Sequence, residues 1–172
     1  MTAVRSSPVR IAGYASVFGK PDGAGDTVVS GAFRRSLALR PPARIALLWQ
    51  HDPTRPIGRW TKLLETRHGL WAEGELANGV KAAQEAASLI ASGALSGLSI
   101  GFKARKARYL GRGSGWGTAR GTGRILQDID LWEISLVTFP QADEARVRLL
   151  SPSPPAPAHW PQSVQTRSTE YA

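Results

Sequence analysis

Residues 125–139 have the sequence Ile-Leu-Gln-Asp-Ile-Asp-Leu-Trp-Glu-Ile-Ser-Leu-Val-Thr-Phe. The stretch is nearly continuous in apolar residues, which is typical of a strand that is central in a sheet or buried on both faces. Strict alternation predicts that Glu133 shares one face with Leu131 and Val137, and that the other face carries Trp132, Ile134 and Leu136. Both faces of this strand are apolar, so burial of the Glu133 carboxylate costs free energy unless the carboxylate is paired. A histidine or an arginine would be a suitable partner. A partly open face that leaves Glu133 solvated is the alternative.

Shorter segments around this strand predict the other elements. The predicted strands are 10–18, 45–49, 98–107 and a hairpin of 57–65 with 70–76. The predicted helices are 31–39, with Ser30 as N-cap, and 80–90, with Asn78 as N-cap and an end near Gly93. Because helices do not alternate regularly with the strands, a doubly wound parallel sheet is not favoured. The pattern instead predicts a mainly antiparallel β barrel or sheet with a few packed helices.

Composition divides the chain and limits the classes of function. We predict one domain over residues 1–150, with a Gly- and Arg-rich loop at 111–123, and a Pro-rich, disordered tail over 151–172. The chain has no cysteine, which excludes disulfide scaffolds, thiolate metal sites and a cysteine nucleophile. No segment matches a metal-binding or nucleotide-binding motif, so we predict no metal and no cofactor.

The net charge of +9 is concentrated between residues 103 and 124, where seven basic residues and no acidic one occur. Such a charge is compatible with nucleic acid. The glycines in the same stretch favour a mobile connection over a groove-reading element, and therefore we do not favour a nucleic-acid partner. No apolar run is long enough to span a membrane, and the first ten residues lack a signal-peptide core. We expect a soluble intracellular protein without a membrane partner.

Residues 97–101, Gly-Leu-Ser-Ile-Gly, match the G-x-S-x-G pattern of the α/β-hydrolase nucleophile elbow. That elbow needs a strand before the serine and a helix after it, whereas here the predicted helix comes first. The pattern therefore does not indicate an α/β-hydrolase. The flanking glycines would still leave space for a substrate backbone to approach Ser99, although a serine with no catalytic role at a strand edge has the same appearance.

His51 follows the predicted strand 45–49, at a point where the chain enters a loop, and sites are frequent at such positions. A histidine that merely caps the strand end would occupy the same place. A serine nucleophile needs a base, and the base needs an acceptor that fixes its tautomer. Ser99, His51 and Glu133 would form a complete set if the fold brings them together.

Six blocks of sequence, in order and spacing, resemble the prohead (capsid maturation) protease family of tailed bacteriophages, which also occurs in prophages and gene transfer agents. The blocks are residues 11–18, 25–33, 47–52, 56–58, 93–102 and 131–140. They include Trp-Gln-His-Asp at 49–52 and Gly-Leu-Ser-Ile-Gly-Phe at 97–102. The resemblance extends from about residue 9 to residue 148.

The resemblance implies a serine endopeptidase distantly similar to the herpesvirus assemblins, built on an antiparallel β barrel surrounded by a few helices. Carried over by motif, the nucleophile is Ser99 and the general base is His51. Ser96 is a nearby serine at a position where the family is not restricted to serine. The third member of the site varies in the family, and in this chain it is Glu133, with Asp130 as the alternative.

The resemblance also implies where such an enzyme acts and on what. Family members cleave the scaffold segment of the major capsid protein, and often themselves, inside the assembling prohead in the bacterial cytoplasm. Dimerisation is one way in which enclosure would switch on the activity. Two other functions are compatible with the sequence: a catalytically inactive capsid-assembly or scaffold-binding protein, and a nucleic-acid packaging factor suggested by the charge alone.

Overall fold

The computed structural model describes residues 7–110 and 123–150. The predicted tail over 151–172 and nearly all of the predicted loop at 111–123 lie outside these residues. Within the described ranges there are eight strands and two α-helices, and a 3-10 helix at Pro42–Arg44. The strands are β1 Arg10–Val17, β2 Asp26–Val28, β3 Ala46–Trp49, β4 Asp52–Glu65, β5 Gly69–Leu76, β6 Gly97–Tyr109, β7 Arg124–Val137 and β8 Val147–Leu149. The helices are α1 Arg34–Leu39 and α2 Lys81–Ala91.

Strand β7 is the centre of the sheet, as its apolar sequence predicted. One side of β7 pairs with β6, antiparallel, over the whole length of β6. The other side pairs with two strands in succession, β2 at its start and β3 towards its end, and both are parallel to it. From β3 the sheet continues through β4, β5, β1 and β8, with every neighbouring pair antiparallel.

The sheet is therefore mixed, and the prediction of an antiparallel barrel is wrong in this respect. Parallel neighbours need a long crossover between them. The chain provides one between β3 and β7, because it passes through β4, β5, α2 and β6 on the way. Hydrophobic alternation identifies a strand but carries no information about the direction of its neighbour. The prediction of a mainly β protein with a few helices is confirmed.

The sheet curls without closing into a complete barrel. Strand β1 approaches β6 but does not pair with it, and a cavity of about 290 Å³ separates the two strands. The concave side of the curl holds the core, to which β7 contributes five fully buried side chains. Helix α2 covers part of it with Ala83, Ala86 and Ile90, which recur at helical spacing. Among the described residues, the curl thus leaves a seam between β1 and β6, which the pair of Gly97 with Arg146 bridges at one end.

Both predicted helix caps are wrong. The N-cap position of α1 is Phe33 and that of α2 is Val80, and neither makes a side-chain capping hydrogen bond. In each case a hydrogen-bonded turn precedes the helix and shifts its first residue towards the C-terminus. The predicted end of α2 is confirmed, because Gly93 follows it with a φ of +77°. Strands β2 and β8 were missed, since three residues are too few for a periodic pattern.

The central position of β7 predicts a large energetic effect there. Ile134 is fully buried in β7 between β3 and β6, and we expect Ile134→Ala to lower the free energy of unfolding by about 2–5 kcal/mol. Leu39→Ala on α1, where the side chain is 67% exposed, should change it by less than about 0.5 kcal/mol. Urea denaturation followed by tryptophan fluorescence measures both. Equal losses in the two variants would contradict the assignment of β7 to the core.

Candidate active site

A β-bulge at Trp132 determines which way the side chains of β7 point. Across the pair with β6, Gly101 lies opposite Glu133, but the next residue, Phe102, lies opposite Leu131. Trp132 therefore has no partner on β6, and its side chain is 54% exposed. Bulges of this kind re-aim side chains and are frequent next to active sites.

The bulge corrects the predicted face of Glu133. Leu131 belongs to the core cluster together with Ile134, whereas Glu133 lies on the opposite face with Ser135. The prediction that Glu133 shares a face with Leu131 is wrong, because strict alternation allows for no extra residue between them. The acidic side chain is thereby taken out of the core and placed on a polar face of the sheet.

The Glu133 carboxylate contacts two other polar side chains on this face. Its Oε1 atom lies 2.6 Å from Nδ1 of His51, and its Oε2 atom accepts a hydrogen bond of 2.6 Å from the Ser135 hydroxyl. Ser135 is fully buried, and the Glu133 side chain is 13% exposed. A Cβ atom added to Gly101 would lie 2.0 Å from Oε1. The second glycine of the G-x-S-x-G motif therefore makes room for this carboxylate.

Gln50 and His51 form the tight turn between β3 and β4. Their φ angles are +53° and +60°, a conformation that suits a two-residue hairpin loop but is unfavourable for residues other than glycine. Backbone and side-chain bonds to β7 and the segment after it hold the turn. The Gln50 N–H donates to the Leu136 carbonyl at 2.9 Å, and the Gln50 Nε2 group donates to Thr138 Oγ1 at 2.9 Å. The His51 N–H donates to Ser135 Oγ at 3.2 Å.

The surroundings of His51 favour its protonated form. The hydrogen bond to Glu133 is the largest cause of a pKa raised above 6.5, partial burial opposes it, and the negative charge of Glu133 adds to it. Because this bond uses Nδ1, the neutral ring donates its proton there and presents Nε2 as an acceptor. Nε2 makes no hydrogen bond to any described residue. The pair is suited to take a proton from a nearby hydroxyl.

Ser99 lies on the strand next to this pair. It is directly opposite Ser135 in the β6–β7 register, and residues opposite each other in antiparallel strands share a face. Ser99 therefore faces the same side of the sheet as Glu133. It is 5% exposed and lines the cavity between β6 and β1, and its hydroxyl makes no hydrogen bond within the described residues. The fold thus brings Ser99, Glu133 and His51 onto three adjacent strands or their ends.

The two alternative residues lie elsewhere. Ser96 is exposed ahead of β6, and its carbonyl accepts the Val147 N–H at 2.8 Å. Asp130 accepts a hydrogen bond from Trp132 Nε1 at 3.1 Å, which is the main cause of its lowered pKa, and lies 3.0 Å from an Arg40 nitrogen. Neither residue contacts His51.

Two residues of the site, Ser135 and Gln50, are not predicted from the sequence. Ser135 follows Glu133 by two residues and so shares its face in a regular strand, but an isolated serine in an apolar strand carries no distinctive signal. Gln50 precedes His51 in the Trp-Gln-His-Asp block, and its role depends on a turn conformation that Gln-His does not predict.

Within the described ranges, no three His, Asp or Glu side chains are grouped to hold a metal ion. None of the described helices is long and apolar enough to cross a membrane.

The mixed, curled sheet matches a solved protease structure in its fold. The structure of the KSHV protease in complex with a hexapeptide phosphonate inhibitor has a TM-score of 0.53 to this chain, at 14% sequence identity. The similarity covers 85% of this chain and 66% of the KSHV chain. The fold is therefore of the herpesvirus protease type.

The chain belongs to the family of caudovirus prohead serine proteases, whose model matches residues 2–154. It is 35% identical to the prohead protease of Enterobacteria phage HK97 over 137 residues and 35% identical to that of Escherichia phage T5 over 133 residues. These matches cover 78% and 77% of this chain, but only 57% and 58% of the two relatives. The family predicted from the six sequence blocks is confirmed, and the chain spans less than three fifths of the length of these relatives.

The hydrogen bond between His51 and Glu133 predicts how the histidine titrates. In Glu133→Gln the largest cause of the raised pKa is lost while burial remains, so the pKa of His51 should fall. In the wild type the pair stabilises the fold fully below pH 6.5, and this contribution is lost as the pH rises through the higher folded-state pKa. Glu133→Gln should remove that pH dependence.

An NMR titration of the His51 ring protons measures this pKa, with His51→Asn identifying the resonance. Glu85→Gln, on the exposed side of α2, is the matched control and should leave the titration unchanged. If the His51 pKa in Glu133→Gln equals the wild-type value, the proposed charge pair does not exist in solution.

Proposed function

We propose that this chain is a serine endopeptidase of prohead maturation, with Ser99 as nucleophile, His51 as general base and Glu133 as the acid that orients the base. The observation that carries the proposal is the 2.6 Å contact between His51 Nδ1 and Glu133 Oε1 on the face to which Ser99 also points. This contact leaves Nε2 as a proton acceptor. Family membership supports the serine as nucleophile and peptide hydrolysis as the reaction.

The reaction follows from these roles. The Ser99 hydroxyl attacks the carbonyl carbon of the scissile peptide while His51 Nε2 takes its proton. The imidazolium then gives that proton to the leaving amine as the carbon–nitrogen bond breaks, which leaves an ester on Ser99. Water, deprotonated by His51, hydrolyses the ester. The Glu133 carboxylate stabilises the imidazolium, and backbone N–H groups stabilise the oxyanion.

The positions of Ser99, His51 and Glu133 support a site in which the hydrogen bond between Ser99 and His51 forms when the substrate binds. Strands β3 and β6 flank β7 on its two sides, and adjacent strands lie about 4.8 Å apart. His51 reaches the shared face from the end of β3, and Ser99 reaches it from β6. In free enzymes the catalytic hydrogen bonds are often long and tighten in the substrate complex. The Glu133–Ser135 and His51–Ser135 bonds fix one side of the site in advance.

We further propose that the substrate is the scaffold segment of the major capsid protein, with self-cleavage as a second reaction, inside the assembling prohead. The relatives from phages HK97 and T5 are both prohead proteases, which supports this assignment. Enclosure raises the local concentration of enzyme and substrate, so a weak or dimerisation-dependent activity would start only there. The proposal also includes the division of the chain into a protease domain over residues 1–150 and a Pro-rich tail over residues 151–172.

Co-expression with a major capsid protein that carries its scaffold segment tests the proposal. We expect the wild type to remove a segment of the capsid protein, and Ser99→Ala to leave it intact because the attacking oxygen is missing. Intact-mass spectrometry of both proteins measures the result. Ser96→Ala is the matched control, three residues away on the same segment, and should retain cleavage.

The other outcomes are informative in different ways. Cleavage by Ser99→Ala but not by Ser96→Ala would identify Ser96 as the nucleophile. An intact capsid protein with the wild type, in the presence of assembled particles, would favour a catalytically inactive scaffold-binding protein over the proposed enzyme.

A further inference from the structure

Beyond Leu98, one edge of strand β6 has no partner strand among the described residues. Over residues 99–109 it pairs only with β7 among the described residues. At its start, the outer side of β6 is bridged to the segment that leads into β8, because the Leu98 N–H donates to the Ala145 carbonyl at 3.0 Å and Gly97 pairs with Arg146. Beyond Leu98, no described strand pairs with β6 on this side. Alternate N–H groups point to the same side of a strand, so the groups directed to the open edge are those of Ile100, Phe102 and Ala104. Such an edge can accept an extended peptide as a further strand.

Three cationic side chains share the face of β6 that carries Ser99. Lys103 lies opposite Asp130, and Lys106 lies opposite Asp128. Arg105 is an extra residue between them, and this bulge keeps Lys103 and Lys106 on one face although they are three residues apart. Arg108 follows on the same face. The opposite face packs against the core through Ala104 and Ala107.

The positive charge on this face is only partly neutralised by the described residues. Strand β6 contains no acidic residue. Asp128 and Asp130 on β7 lie 3.8 Å and 3.0 Å from arginines of α1 and its C-cap, Arg35 and Arg40. Among the cations of β6, Arg105 has one long ion pair of 3.9 Å. The other three, which are exposed, form no ion pair with a described residue: Lys103, Lys106 and Arg108.

We propose that this surface binds an acidic peptide in extended conformation, as an additional strand along β6, and leads it to Ser99. The surface, which we term the basic edge, consists of Lys103, Arg105, Lys106 and Arg108. Its use as a substrate-docking site depends on the proposed protease function, whereas its binding of the peptide does not. Lys103 lies about 13 Å along the strand from Ser99, so one segment of four to ten residues reaches both.

A peptide fits the observations better than a nucleic acid does. Unpaired backbone N–H groups along the edge are the partners that a peptide strand completes. Acidic side chains at alternate positions of that strand would lie beside the cations, and the charge would also accelerate the encounter. Cations on an edge also hinder association between copies of a sheet protein, but that role does not require them on the face of Ser99.

Fluorescence anisotropy tests the proposal with the full chain carrying Ser99→Ala, so that peptide hydrolysis plays no part. The probe is a fluorescein-labelled decapeptide of alternating Glu and Thr. We expect binding that weakens with salt, and that weakens about tenfold or more in the triple variant Lys103→Glu, Lys106→Glu, Arg108→Glu. The control triple variant Arg44→Glu, Arg67→Glu, Lys81→Glu makes the same change of net charge at exposed sites away from β6 and should bind as before.

Two comparison ligands separate the alternatives. A decapeptide of alternating Glu and Pro has the same charge but cannot pair as a strand, and it should bind markedly less. Equal binding of the two peptides, equal loss in both triple variants, or preferential binding of a ten-nucleotide oligothymidine would each overturn the proposal. If the triple variant fails to fold, hydrogen exchange of the Ser99→Ala protein decides. The amides of Ile100, Phe102 and Ala104 should gain protection with the Glu-Thr peptide, and no gain would contradict edge pairing.

Discussion

The site depends on one carboxylate that is hydrogen-bonded on both sides. Glu133 contacts the His51 ring through one oxygen and the buried Ser135 hydroxyl through the other, each at 2.6 Å. Ser135 in turn accepts the backbone N–H of His51. The acid therefore fixes the ring and, through Ser135, the backbone that carries the ring. A largely buried carboxylate is costly alone, but here both hydrogen bonds that compensate it also orient the proposed base.

The surrounding fold supplies the conditions for this arrangement. The bulge at Trp132 turns Glu133 out of the core, Gly101 leaves space for it on β6, and parallel pairing of β3 with β7 places the His51 turn beside it. The left-handed conformation of the turn is maintained by its bonds to β7 and to Thr138. Strain of this kind persists where the neighbouring structure over-determines it, and it is frequent at functional sites. The pairing of β7 with β3 and β6 therefore stabilises the unfavourable turn and keeps Glu133 and His51 in contact.

Much of this organisation follows from the sequence, and some of it does not. Apolar runs and alternation located six of the eight described strands and both helices, and the motif blocks indicated Ser99, His51 and Glu133. The bulge at Trp132 has no local signal, because its cause is the packing of β7 against β6. The parallel pairs depend on which strands meet after long connections. The turn at Gln50 and the role of Ser135 depend on tertiary hydrogen bonds, which residue type alone does not predict.

The proposed reaction requires that Ser99 is a nucleophile activated by His51. Labelling the full chain with a fluorophosphonate ester, followed by trypsin digestion and tandem mass spectrometry, tests it most directly. The tryptic peptide of residues 82–103 contains four serines, so fragment masses locate the adduct. We predict a single adduct, on Ser99, with a labelling rate at least about a hundredfold lower in His51→Asn. An adduct on another serine, no adduct, or an unchanged rate in His51→Asn would contradict it.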